Sequence, residues 1–333
     1  MGRCDSFVVE TDVHYPTDIN LLFDSIRKMI KLATLISQDQ GQTLWRQCEY
    51  NIRSFKKLFR RAQQLKRSNS KDKQKKAARK ELIINAHKIY IEAAQGYIQK
   101  SIMTQDNIVS NSPVCAVRIE GLKIYINHAN RQIDQIRRRV IQNEKIPHNE
   151  KVFSIFEPHT DWISKGKAGV PQELGLRVCI LEDQYGLLLH HRVMEKETDD
   201  KVAVSMINSA QNKFSNLRGC SFDKGFYSPS NKKELKSKLD TLVLPKKGKR
   251  NKAEYKEETA EVFIRSKRKH SAVESAINGL ENHGLDRCLD HGIHGFKRYV
   301  SLAILSRNLQ IIGHHIQQKK LKRIQRSQRR KAA

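Results

Sequence analysis

The chain has 333 residues and carries 63 Lys and Arg against 35 Asp and Glu, a formal net charge of +28. A chain of this length can bury about three quarters of its unfolded surface in two or three domains, and 38% hydrophobic residues with 7% aromatics exclude a disordered basic tail. The charge exceeds what solubility asks for and points to a polyanionic partner.

The six cysteines are scattered, without a CxxC pair or a Cys/His cluster, which argues against a zinc or disulfide framework and fits a reducing interior. No apolar run approaches the roughly 18–20 residues that span a bilayer, and no signal pattern opens the chain, so a soluble intracellular protein without a membrane partner is expected.

Residues 3–10 read as a β-strand. Thr17 or Asp18 then caps a helix whose apolar positions are Leu21, Leu22, Ile26, Met29 and Leu32. Apolar residues at three-and-four spacing predict helices over 19–37, 43–66, 76–103 and 116–143. Between Arg53 and Lys80 there are thirteen Lys or Arg and one acid, Asp72, a run that serves either as a solvated helix face or as a track for phosphates.

Pro147-His148 ends this helical block and the period changes. Residues 174–182 and 187–194 flank the turn Asp183-Gln184-Tyr185-Gly186 and read as a hairpin. A helix at about 200–214 leads to a strand ending at Asp223, and a helix at 230–239 leads to the apolar run Thr241–Pro245. A basic linker at 246–252, flexible by composition, precedes a helix at about 254–282 with apolar positions Val262, Ile264, Val273, Ile277 and Leu280. Glycine breaks at Gly284 and Gly292 lead to an amphipathic helix at 296–312 and a tail with eight Lys or Arg between 319 and 331. The pattern predicts an α/β fold: one mixed sheet flanked by helices, with a large all-helical insertion after its first strand. The expected division is 1–18 for the first strand, 19–148 for the insertion, 149–313 for the rest of the core and 314–333 for the tail.

The stretch Cys220–Ser228 reads as a strand that runs into Asp223 and breaks on Gly225, delivering a carboxylate at a sheet end. An ordinary turn has the same composition. Phosphodiester chemistry uses hard oxygen ligands that hold two divalent ions roughly 3.5–4 Å apart. Asp5, in the first strand, and Glu274, beside the Val273/Ile277 stripe, are the candidate partners of Asp223, with Glu157 and Asp161 as alternative first acids. Asp183 reads as a turn residue, Asp199-Asp200 as a helix cap, and His14, His190 and His191 as structural or solvated.

Three blocks resemble the DDE transposases of bacterial and archaeal insertion sequences. Cys4–Asp18 (Cys-Asp-Ser-Phe-Val-Val-Glu-Thr-Asp-Val-His-Tyr-Pro-Thr-Asp) is similar to the block around that family's first aspartate. Phe222–Ser228 resembles its D-x-G-Y/F-x-S block, and His270–Glu274 its R-x-x-V/I-E block. The likeness extends through Glu281–Arg287 and Ala303–Leu309 and covers nearly the whole chain. The resemblance implies a ribonuclease-H-like core in which Asp5, Asp223 and Glu274 hold two Mg²⁺ or Mn²⁺ ions, cleave transposon ends and join them to target DNA. It also implies a homodimer on DNA, a prokaryotic cytoplasmic setting at the nucleoid, and a family N-terminal DNA-binding region absent here, since only four residues precede Asp5. Lys246, Lys247, Lys249, Arg250, Lys267, Arg268, Lys269 and His270 are the expected DNA contacts. The alternatives are a basic DNA-binding relic without catalysis and a nuclease of the same fold.

Overall fold

The computed structural model describes residues 1–66, 68–108, 112–164 and 171–332, the side chains of 329–332 excepted. Arg67 of the first basic run, and the side chains of Arg329, Arg330 and Lys331 in the tail, lie outside the described residues. The chain forms two compact units, one of Met1–Val13 with His159–Ala333 and one of His14–Pro158.

The first unit is a mixed α/β sheet unit. Its strands are β1 (Gly2–Thr11), β2 (Asp161–Ser164), β3 (Gln172–Glu182), β4 (Leu188–Met194), β5 (Gly219–Phe222), β6 (Thr241–Val243) and the short β7 (Arg287–Cys288). The central path runs β4-β3-β1-β5-β6: β1 is antiparallel to β3 and β3 to β4, whereas β5 is parallel to both β1 and β6. Beyond β4, β2 pairs with the other end of β3, and β7 lies beside the far end of β1.

Alternate residues of a strand face opposite sides, and each side of this sheet is covered. Cys4, Cys179, Leu181, Cys220 and Phe222 pack against α5 (Asp199–Gln211) through Val202, Met206 and Ile207, and against α6 (Pro229–Lys238) through Leu235. Phe7, Val9, Val178 and Ile180 pack on the other side against Val273, Ala276 and Leu280 of α9 (Ala272–Leu280) and Phe296, Val300 and Ile304 of α10 (Gly292–Ala332). Burial on both faces explains the unbroken apolar stretches Phe7–Val9 of β1 and Val178–Leu181 of β3. The hairpin turns at Gly186, whose φ of 86° suits glycine, and Asp183 Oδ1 accepts from the Tyr185 and Leu187 amides at 2.8 and 2.9 Å.

Three readings of the C-terminal region are corrected. The helix expected at 254–282 is three helices, α7 (Lys252–Thr259), α8 (Glu261–His270) and α9. Ala260 is extended between the first two, and Ser271 closes α8 by donating to the Arg268 carbonyl at 2.9 Å. Val262 and Ile264 are consequently exposed, and Phe263 is the core residue of α8. The linker at 246–252 is tied down: Lys246 pairs with Glu254 and Arg250 with Glu258, both at 2.6 Å, and Asn251 and Glu254 form a capping box. The final helix does not stop at 312 but continues as α10 to Ala332.

The second unit is all-helical: α1 (Asp18–Asp39), α2 (Cys48–Gln64), α3 (Lys73–Asp106), α4 (Pro113–Ile136) and a π-helical turn at Arg137–Ile141. Thr17, Asp72 and Ser112 cap α1, α3 and α4 through their side-chain oxygens. Ile26, Met29, Ile30, Phe55, Tyr90, Ile98, Leu122 and Ile133 form its core, with Phe55 stacked on Tyr90 at 4.7 Å between ring centroids. The cations Arg53, Lys56, Lys57, Arg60 and Arg61 of α2 stay on its exposed side. Among the described residues no helix is long and apolar enough to cross a membrane.

Candidate carboxylate site

Asp5 and Asp223 are brought together by strand pairing. β1 and β5 run parallel with Cys4 opposite Phe222, so the next residue of each strand line is an aspartate. Cys4 and Phe222 belong to the α5/α6 side of the sheet, so by alternation Asp5 and Asp223 turn to the side covered by α9. Glu274 stands in the first turn of α9, one residue from Val273, which packs against the Phe7/Val9 side of β1. Asp223 and Glu274 are exposed, whereas Asp5 is half-buried.

The charges of these residues reach one another. Burial first, and then the carboxylates of Asp223, Asp199 and Glu274, push Asp5 up to about 6, against the opposing effect of the Ser6 amide, which donates to Asp5 Oδ1 at 2.8 Å.

Asp199 is the member that the sequence pattern misassigned. The N-cap of α5 is Thr198, and Asp199 Oδ1 instead accepts the Ser6 hydroxyl at 2.7 Å. Gly225 lies close on the other side: a Cβ there would stand 3.1 Å from Asp199 Oδ2. The only sequence signal was an acid in the first helical turn, which a favourable interaction with the helix dipole explains equally well.

His270 closes α8 against the sheet. Its Nδ1 shares a 3.0 Å hydrogen bond with the hydroxyl of Ser221 on β5, and its Nε2 is buried with no hydrogen-bond partner. Burial lowers its pKa, with Arg3 adding to the effect and the charges of Asp223 and Glu274 opposing it. His270 thus adjoins the carboxylates as a neutral ring, while Lys267, Arg268 and Lys269 in the same turn are exposed.

Of the alternative first acids, Asp161 lies elsewhere on the sheet. Asp161 pairs with Gly175, which on its other side pairs with Glu10, so Asp161 sits about five residues, roughly 17 Å, along the strand direction from Asp5. Glu157 is buried and belongs to the helical unit. His14 bonds Asp24, and His191 bonds the hydroxyl of Ser301. Of the linker cations, Lys247 and Lys249 are exposed, whereas Lys246 and Arg250 are engaged by acids.

Among the described residues no three His, Cys, Asp or Glu side chains converge tightly enough to hold a metal ion as they stand. The donor set has the chemistry of a hard-cation site all the same: carboxylate oxygens alone, on separate elements, with one acid pushed up by burial and then by the charge of its neighbours. No family model, curated protein or solved structure matches the chain.

Proposed function

We propose that the sheet unit is the catalytic core of a DDE-type DNA transposase, which cuts the ends of an insertion sequence and joins the freed 3′-hydroxyl to target DNA. The observation that carries this reading is the β1/β5 register, which sets Asp5 beside Asp223 and within electrostatic reach of Glu274, although 218 residues separate the two aspartates. The mixed strand order, with antiparallel partners on one side of β1 and parallel ones on the other, is compatible with the ribonuclease-H-like core that the sequence resemblance implies.

Asp5, Asp223 and Glu274 would hold two Mg²⁺ or Mn²⁺ ions, which when bound supply Lewis-acid stabilisation of the attacking and leaving oxygens of a phosphodiester. Asp5, half-buried and accepting the Ser6 amide, would be the inner ligand. Asp223 and Glu274 reach from the solvent side, so DNA approaches over them. Asp199, anchored by Ser6, adds negative charge behind the site. The exposed cations Lys267, Arg268 and Lys269 lie in the last turn of α8, five to seven residues before Glu274, and would neutralise backbone phosphates, which positions DNA without reading its bases. Two copies on DNA are part of this proposal.

The test uses duplex DNA made from the sequences that flank the gene on either side. Asp223→Asn and Glu274→Gln should each abolish Mg²⁺-dependent nicking while DNA affinity stays unchanged or rises slightly. Strand-transfer products separate a transposase from a nuclease on the same fold. An Asp223 variant that nicks at the wild-type rate would place the chemistry elsewhere, and a wild-type chain that binds but never cleaves would favour a basic DNA-binding protein.

A further inference from the structure

We infer that the outer face of α10 is a self-association surface, on which the same helix of a second copy of this chain docks antiparallel. The inference does not depend on the catalytic reading. α10 packs on the sheet through one face: Ile304 enters the core, and Asn308 accepts from the Leu188 amide at 2.8 Å and donates to the Leu188 carbonyl at 2.9 Å. The imidazole of His315 lies 3.3 Å from the Tyr185 carbonyl, and Ile311 lies against the hairpin at Gly186.

A second apolar face stands open. Leu302, Leu305, Leu309, Ile312 and Ile316 are 56, 54, 60, 44 and 50% exposed. At about 100° per residue they form one stripe roughly 80° wide, centred about 110° around the helix from the packed face. Single exposed leucines are ordinary. Five in succession at spacings of three, four, three and four residues are not, because this is the repeat that sets one helix into the seam of another.

The occupant is argued from period, charge and area. A 3-4-3-4 seam is matched by its own copy, knob for hole, over a length of about 21 Å. One flank of the stripe carries Ser306, Gln310, Gly313 and Gln317, none of them charged, and the one cation on the stripe's N-terminal continuation, Arg298, is paired with Asp290 at 2.5 Å. Past Ile316 the same helical positions become Lys319, Lys320 and Arg323. A parallel pair would set these cations against their own copies, whereas an antiparallel pair sends the two basic ends in opposite directions. Five half-exposed aliphatic side chains per copy bury roughly 1,000 Å² in all, at the lower end for specific interfaces, so the dimer should be reversible and concentration-dependent.

Sedimentation of the full chain, free of nucleic acid and at high salt, tests the surface. A monomer–dimer equilibrium is expected for the wild type. The variant Leu305→Glu/Leu309→Glu should be monomeric at every concentration with an unchanged circular-dichroism spectrum, since both side chains are exposed. A wild type that stays monomeric up to its solubility limit, or a double variant that still dimerises, would overturn the proposal. For orientation, chains carrying Leu302→Cys and Ile316→Cys are mixed in a Cys48→Ser background, the other native cysteines being buried. A mixed 302–316 disulfide is expected, and a 316–316 product in its place would overturn the antiparallel assignment.

Discussion

Replacing Asp5 by Asn should stabilise the sheet unit in the absence of divalent cations. The carboxyl of Asp5 titrates near 6 in the folded chain against an ordinary value of 3.8, a difference of about 2.2 units or roughly 3 kcal/mol. The sign follows from proton counting. Between the two values the folded state holds more protons than the unfolded one, so stability is greatest below about pH 4 and falls as pH rises through about 6. Asn keeps the oxygen that accepts the Ser6 amide and removes the charge, so at pH 7.5 the variant should recover most of that energy. Urea denaturation followed by the fluorescence of Trp162, in a Trp45→Phe background, reads the sheet unit alone, because Trp45 belongs to the helical unit. Saturating Mg²⁺ should return a comparable amount to the wild type by mass action, about 2.7 kcal/mol at a hundredfold excess over Kd, and little to the variant. An Asp5→Asn protein no more stable than wild type at pH 7.5, or a wild-type stability flat between pH 4 and 6.5, would refute the reasoning.

Gly175→Ala should destabilise the sheet unit by about 3 kcal/mol, the upper end for overpacking, because a Cβ there would collide with the Val9 carbonyl and stand 2.8 Å from the Glu10 Cα; denaturation within about 0.5 kcal/mol of wild type would contradict it. In the helical unit, the hydrogen bond from His14 Nε2 to Asp24 Oδ2 raises the pKa of His14, so its stabilisation is complete below about pH 6.5 and is lost as pH rises through the higher folded value. Trp45 fluorescence should show this slope, and Asp24→Asn should erase it. On the proposed function, DNA and divalent cations should bind cooperatively, since the cations would cancel carboxylate charge that would otherwise face the phosphates. Anisotropy of a labelled duplex at matched ionic strength should show Ca²⁺ favouring wild-type binding relative to Asp5→Asn/Asp223→Asn, and an identical response of the two proteins would argue against a shared site.

The parts of the fold that were legible in the sequence are those where one period holds over a full element. The four helices of the inserted block show it, as does the hairpin around Gly186, where Asp183 supplies the turn chemistry. The region after residue 246 was illegible for two separate reasons. Its cations suggested a loose linker because composition does not reveal that Lys246 and Arg250 meet Glu254 and Glu258 one and two turns into the next helix. The apolar spacing of Val262, Ile264 and Val273 suggested one helix because exposed aliphatic residues count toward a period as fully as buried ones, and only the break at Ser271 shows that the core face passes from Phe263 of α8 to Val273 of α9.

The carboxylate site illustrates a different boundary. Asp223 was conspicuous because a strand, an acid and a glycine follow one another, and Asp5 and Glu274 because they sit in blocks that resemble a known pattern. That Asp5 neighbours Asp223 is a matter of parallel pairing between strands more than 200 residues apart, and no local signal encodes such a register; the alternatives Glu157 and Asp161 had sequence positions just as reasonable. Asp199 could not be found by any rule of helix ends, because capping and site-building both place an acid in the first turn of α5. What distinguishes the two is the Ser6 hydroxyl. A capping aspartate turns its oxygens to the helix's own amides, whereas Asp199 turns one to β1, beside the residue whose charge it perturbs most consequentially. Ser6→Ala therefore separates the two contributions Ser6 makes to Asp5: it leaves the Ser6 amide on Asp5 intact and releases Asp199, so any change it causes in the titration of Asp5 measures Asp199 alone.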